Sequence, residues 1–335
     1  MSVEIWLHPG KATKKQLREF LSSRGFVECD HICPWGRGAL HFHWFESRDF
    51  ISYDGVEATI YKPEDDPRGL GECTWALHTR TRSSGSPGDK QFQIDTINFA
   101  RRQFGGKFYN DWGGKNRHMA APEQTRDAPS RGLYLAYESV TRHIEAVKHA
   151  LPAETQGMKN LVGTPLQVLA QNDPSRVIYN AIVPFAVAAI EGFLGDAFRI
   201  LIKYDSGAQD YLAKQSKKVD FEDARDIAAG NLSVEDVVAR WFSFQNPASA
   251  QKAYSEWLGI DLKRLLRQVG LPQSSQFTLD GAFERIVAMR HRVIHGLALN
   301  FELDRDAILQ MLDETQAIID TVVDHLEKQN HLVIR

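Results

Sequence analysis

Hydrophobic and polar positions follow two different periods along the chain, and the change falls near residue 125. Upstream, short runs rich in β-branched and aromatic residues dominate: VEIWL, FVEC, ALHFHWFE, FISYDGVEATIYK and TWALHTRTR. Successive side chains of a strand point to opposite faces, so such runs predict a pleated sheet. Asp54-Gly55 between two of them predicts a tight hairpin turn. Thr13 ahead of KKQLREFLSSRG predicts an N-capped helix. In IDTINFARRQFGGKFYND, the spacing of Ile94, Ile97, Phe99, Ala100 and Phe104 predicts a second helix, closed by Gly105-Gly106 and followed by a strand. This part reads as an α+β sheet domain over residues 1–125.

APEQTRDAPSRG (121–132), rich in Pro, Ser and charge, reads as a linker. Beyond it the period becomes helical. Leu133, Tyr137, Val140, Ile144, Val147 and Leu151 recur at three- and four-residue steps, the stripe of an amphipathic helix. Asp173-Pro174 opens a long helix reaching about Tyr204, Ser233 with Asp236 opens another, and Asp304 begins a last one of about 25 residues. The next-to-last helix is entered at Asp280 and ends near Gly296. The expectation is an all-α domain over 130–335, so the whole is a multidomain α+β protein. The sequence contains no internal repeat or low-complexity tract.

Composition narrows the function classes. The 335 residues carry a net charge of -3, with 43% hydrophobic and 25% charged positions. That balance supports sizeable cores but gives no whole-chain attraction to nucleic acid or to an anionic membrane, so any such binding is local. The start, MSVEIWLHPGKATKKQLREF, lacks the cationic and apolar regions of a signal peptide. In NAIVPFAVAAIEGFLGDAF, the most apolar stretch, Pro184, Glu191 and Asp196 favour a buried helix over a membrane span. Three cysteines, Cys29, Cys33 and Cys73, do not form a disulfide framework. These features point to a soluble chain in a reducing cytoplasm, with no membrane partner.

Candidate chemistry concentrates in AMRHRVIHGL (288–297). Arg290 and His295 place a fixed cation near a group that titrates close to neutrality. Cleavage of an RNA phosphodiester asks for that combination. The histidine removes the 2′-hydroxyl proton, and the arginine stabilises charge on the pentacoordinate phosphate, with no metal or other cofactor needed. The bare spacing, Arg then four to six residues then His, occurs five times: Arg24/His31, Arg37/His43, Arg142/His149, Arg285/His291 and Arg290/His295. Context selects the last, which lies on a helix with an apolar face (Phe283, Ile286, Val287, Val293, Ile294, Leu297) and meets Gly296 at its end.

The flank MRHRVIHG resembles HEPN-domain proteins, with polar His291 after the arginine and a small residue after the histidine. FAVAAIEGFLGDAFRIL (185–201) looks like that family's first long helix, carrying Glu191 and Asp196. ARWFSFQNPASAQKAYSEWLGIDL (239–262) is similar to one branch of it. The resemblance covers about 175–325 and does not reach the first domain. It implies a HEPN-like helical bundle acting as a metal-independent endoribonuclease, of the toxin or antiphage-defence kind. It also implies a homodimer whose groove is lined by both copies of the motif, with RNA as substrate and a neutralising or trigger protein as a further partner. Arg290 and His295 are then catalytic, with His291 and Glu191 beside them, and Arg292 is a spare cation for RNA phosphate.

Geometry complicates this picture. Positions five apart on a straight helix differ by about 140°, so Arg290 and His295 do not share a face, whereas His291 and His295 do. A distortion at Gly296 or a second subunit would bring the first pair together. The plain alternatives are a polar stripe on a core helix, a non-catalytic interaction module, and a His291/His295 metal pair with no obvious third ligand.

Two weaker signals lie upstream. Cys29, His31, Cys33, His41 and His43 are zinc-ligand types without a zinc-motif spacing, and His41 and His43 alternate on a strand. Arg80, Arg82, Lys90, Arg101, Arg102, Lys107, Lys115 and Arg117 face only Asp89, Asp95 and Asp111 in an otherwise acidic chain. Phe104, Phe108, Tyr109 and Trp112 interleave with them, which suits phosphate contact with base stacking. Arg101, Arg102, Lys107, Lys115 and Arg117 are the candidates for positioning RNA, against the alternative of a solvated basic face.

Overall fold

A computed structural model describes residues 2–30, 36, 38–65, 73–118, 122–153, 164–165, 173–271, 274–296, 299–300 and 303–335. The chain divides into two compact units, Met1–Ala128 and Pro129–Arg335.

The first unit is built on strands β1 (Ser2–His8), β2 (Val27–Cys29), β3 (Leu40–Trp44), β4 (Val56–Tyr61), β5 (Ala76–Arg82) and β6 (Lys107–Asn110). They form one sheet in the order β2-β3-β4-β5-β1-β6, antiparallel at every pairing. Helices α1 (Lys14–Ser23) and α2 (Pro87–Phe104) supply Leu17, Phe20, Leu21, Ile97 and Ala100 to a core with Ile5, Leu7, Phe42, Ala58, Ile60, Leu77 and Phe108. Thr13 caps α1 with a reciprocal bond to Gln16.

Two local expectations fail here. Asp54-Gly55 does not make a tight hairpin; β3 and β4 pair from Trp44↔Val56 outward, and residues 45–55 form a longer connection. The fully buried Asp89 carboxylate accepts the amides of Tyr53 at 3.0 Å and Asp54 at 3.2 Å, which draws the connection onto α2. Helix α2 itself begins eight residues before Asp95, because Ser86 and the same Asp89 close a capping box around Pro87.

On the sheet face away from the helices, His78 lies across from Trp6 and Thr59. It stacks on Trp6 at 5.0 Å, and its Nε2 donates to Glu4 at 3.1 Å. This hydrogen bond, aided by Ser2 and Arg80, outweighs burial and holds the Glu4 carboxyl at about 2 instead of the ordinary 4.5. The folded chain therefore keeps the charge under acid conditions where the unfolded chain has taken up the proton. The associated stability is complete above pH 4.5 and is lost as pH falls through about 2. Glu4→Gln is expected to be less stable than the native chain at neutral pH, on the order of 1–3 kcal/mol, with the gap closing on acidification. Urea midpoints across that range test this; a gap that stays constant would remove the carboxylate's charge from the account.

The second unit is mostly helical: α3 (Ala128–Ala150), α4 (Pro174–Tyr204), α5 (Ser206–Ala213), α6 (Phe221–Ala228), α7 (Val234–Ala239), α8 (Pro247–Leu258), α9 (Leu262–Arg267), α10 (Leu279–Gly296) and α11 (Arg305–Asn330). The expected caps form at Asp173, Ser233 with Asp236, and Asp304. Helix α4 is the hub, packing against α7, α8, α10 and α11. Among the described residues it alone is long and apolar enough to cross a membrane, and half of its most apolar window is buried inside the protein.

The unit is not all-α. Gly270–Leu271 and Ser274–Thr278 pair as a two-stranded ribbon, β7 and β8, ahead of α10. A short run with Ser274, Ser275, Gln276 and Thr278 carries no apolar alternation, so sequence pattern alone gives no strand signal. The supposed linker is also shorter than 121–132, since Ala128 and Pro129 already lie in the first turn of α3.

Candidate active site

Helix α10 changes character along its length. Leu279, Ala282, Phe283 and Ile286 are buried, and Asp280 near its start accepts from Arg267 Nε at 2.9 Å. An acid in the first turn also suits the positive end of the helix dipole. Arg285 pairs with the buried Glu314 of α11, which excludes Arg285/His291 as a free catalytic pair. Beyond Ile286 the helix emerges: Arg290 is half-buried, and His291, Arg292, Ile294 and His295 are exposed. The apolar face expected over Val287, Val293 and Ile294 is therefore only partly covered, and Leu297 lies outside the described residues.

The helix stays helical through Gly296, so no distortion carries His295 round to Arg290. His291 and His295 instead sit one turn apart with ring centroids 4.5 Å from each other and planes tilted by 47°. Among the described residues, neither Arg290 nor Arg292 meets a carboxylate. The motif is thus a compact cationic and imidazole surface on one continuous helix.

The chain beyond this surface is tied to α4. Arg176, only 2% exposed, donates from Nη1 to Leu303 O at 2.7 Å. Asn180 and Asn300 bond reciprocally, Nδ2 to O at 3.2 Å and N to Oδ1 at 2.8 Å. These bonds fix the chain that leaves α10 before it enters α11. Sequence reading missed both residues; the available signal is an arginine and an asparagine inside the most apolar helix, where unpaired polar groups are costly.

Glu191 is half-buried on α4, which packs against α10, yet no ion pair joins it to Arg290. Asp196 has a different role. It pairs within α4 with Arg199, and it is Arg199, its Nε 3.2 Å from Asp236 of the α7 capping box, that ties α4 to α7.

In the first unit Arg101, Arg102, Lys107, Lys115 and Arg117 are all exposed, but not on one face. Arg101 and Arg102 end α2, on the helix-covered side of the sheet. Lys107 shares a strand face with Tyr109, and Lys115 bridges to Tyr109, on the side of Trp6. Of the interleaved aromatics, Phe108 is core and Trp112 is 77% exposed. Phe99, 46% exposed, lies under Arg24 at 4.7 Å and Arg102 at 5.6 Å, a cation–π stack that the sequence did not mark.

The zinc-type residues do not assemble among the described residues. His41 Nδ1 bonds Thr59 Oγ1 at 3.0 Å and His43 Nε2 bonds Asp54 O at 3.1 Å, while His31 and Cys33 lie outside the described residues. No group of three or more His, Cys, Asp or Glu able to hold a metal occurs among those described.

Comparison with protein-family models, with curated proteins and with solved structures returned no match. Fold and site define the chain as an antiparallel α+β unit followed by a mostly helical unit that displays an Arg-His surface at the end of one helix.

Proposed function

We propose that the chain is a metal-independent endoribonuclease of HEPN type, a cytoplasmic toxin or antiphage-defence effector that works as a homodimer. The observation that carries the reading is the end of α10, where half-buried Arg290 and exposed His291, Arg292 and His295 crowd one helical turn and a half. His295 takes the 2′-hydroxyl proton, O2′ attacks phosphorus, and the 5′-oxygen leaves with a proton supplied by His291. Arg290 stabilises the charge that develops on the phosphoryl oxygens. Because Arg290 and His295 diverge by about 140° on one helix, each active centre takes them from two facing copies. Glu191, half-buried on α4 against α10, shapes the groove in that assembly, and Arg292 grips phosphate. On the first unit Lys107 and Lys115, which share the Trp6 side of the sheet, guide the RNA strand, with Arg101 and Arg102 across the sheet from them as a separate phosphate contact. A trigger or neutralising protein acts on the same dimer.

A second reading, a non-catalytic helical interaction module, draws on the uninterrupted helix that keeps Arg290 and His295 apart within one chain. The two readings separate in one assay. Cleavage is expected to persist in EDTA and to leave a 2′,3′-cyclic phosphate or its opened product beside a 5′-hydroxyl. Loss in EDTA with rescue by Zn²⁺ or Mn²⁺ would refute the mechanism, and no cleavage under any condition would favour the module.

A further inference from the structure

We propose that His291 and His295 form a chelating site for a divalent transition-metal cation of the zinc, nickel or copper class, and that the bound ion inhibits RNA cleavage instead of assisting it. The inhibitory half rests on the nuclease reading; the site itself does not.

Side chains four apart on an α-helix stand one above the other on the same face. Here the two imidazoles have already met, with centroids 4.5 Å apart. A metal held by two nitrogens at about 2.0–2.1 Å each needs those nitrogens on converging rings, which small side-chain rotations achieve from this starting point. Both residues are exposed, so no buried partner has to be displaced. The helix backbone fixes their spacing in advance, which removes most of the ordering cost of chelation.

Ligand chemistry selects the ion. Imidazole suits zinc, nickel and copper, whereas magnesium and calcium favour carboxylate and other oxygen ligands, and the side chains of this turn carry no oxygen. Arg290 and Arg292 flank the pair and oppose an incoming dication. With water completing the shell, the site is weaker than a four-ligand structural zinc site. An imidazole nitrogen that holds a metal has no lone pair for a proton. The filled site therefore lacks its base, and EDTA should stimulate a preparation that carries the metal.

The test uses the full chain, titrated with Zn²⁺ against a chromophoric competitor and with Cu²⁺ followed by electron paramagnetic resonance for nitrogen coordination. His291→Ala and His295→Ala should each weaken binding by about tenfold or more, the scale on which even indirect supports of a ligand act. His149→Ala, an exposed histidine on α3, should leave it unchanged. Affinity that survives in both motif variants overturns the site. RNA cleavage by metal-free chain should fall as Zn²⁺ fills the pair; undiminished cleavage with the pair filled overturns the inhibition. Absence of cleavage by the metal-free chain removes the inhibitory half together with the nuclease reading, while the titration still decides the site.

Discussion

Folded Arg290→Ala protein is expected to cleave RNA on the order of a hundredfold or more slowly in single-turnover assays, the loss seen when one charge-stabilising donor is deleted. His295→Ala should lose at least as much, since it removes the base. Arg292→Ala should keep a near-native rate at saturating enzyme, bind RNA more weakly, and show a shallower salt dependence. The contrast is informative because the arginines sit on different parts of the turn: Arg290 is half-buried and Arg292 exposed. A straight helix sets Arg292, three before His295, nearer to the histidine than Arg290 is. A collapsed rate for Arg292→Ala with a near-normal one for Arg290→Ala would reverse the assignment. Circular dichroism and the dimer mass of each variant must match the native chain first, because an arginine stem also packs against neighbouring helices.

Phe198→Ala should cost about 3–5 kcal/mol of stability, as removal of a fully buried aromatic does. The Phe198 side chain is inaccessible to solvent on α4 and touches four rings: Phe244 at 5.3 Å, Phe242 at 5.7 Å, Tyr254 at 6.0 Å and Trp257 at 6.2 Å between centroids. Tyr254 is pinned as well, donating to Leu194 O at 2.8 Å, so the cluster has little freedom to collapse into the hole. For a unit of this size the loss corresponds to a fall of about 6–20 °C in melting temperature. Urea denaturation should show a lower midpoint at an unchanged slope. A change under about 1 kcal/mol would mean that the surrounding rings close the cavity and do not act as a rigid block.

Much of the fold is legible in short stretches of sequence. Thr13, Asp173 with Pro174, Ser233 with Asp236, and Asp304 each cap the helix they announce, because a cap is settled by a side chain and an amide within one turn. The same holds for β3 and β4, where Leu40, Phe42 and Trp44 and then Val56, Ala58 and Ile60 alternate into the core, while β2 is exposed at all three positions. Asp89 escapes such reading. It caps its own helix and also takes amides 35 and 36 positions away, so the Asp54-Gly55 turn and the start of α2 are decided together. The β7–β8 ribbon is hidden for the opposite reason, having too few apolar residues to show a period.

The candidate site divides in the same way. Residue types and helical spacing place His291 and His295 on one face and Arg290 off it, and the uninterrupted helix keeps them so. Spacing alone does not tell which end of α10 is buried, that Arg285 is committed to Glu314, that Asp196 belongs to a link with α7, or that Arg176 and Asn180 hold the chain beyond the motif from 120 or more residues away. Those outcomes depend on which surfaces pack against each other. Capping and periodicity act within a turn or a strand pair, whereas burial and the choice of polar partner are set by whatever the rest of the chain brings alongside.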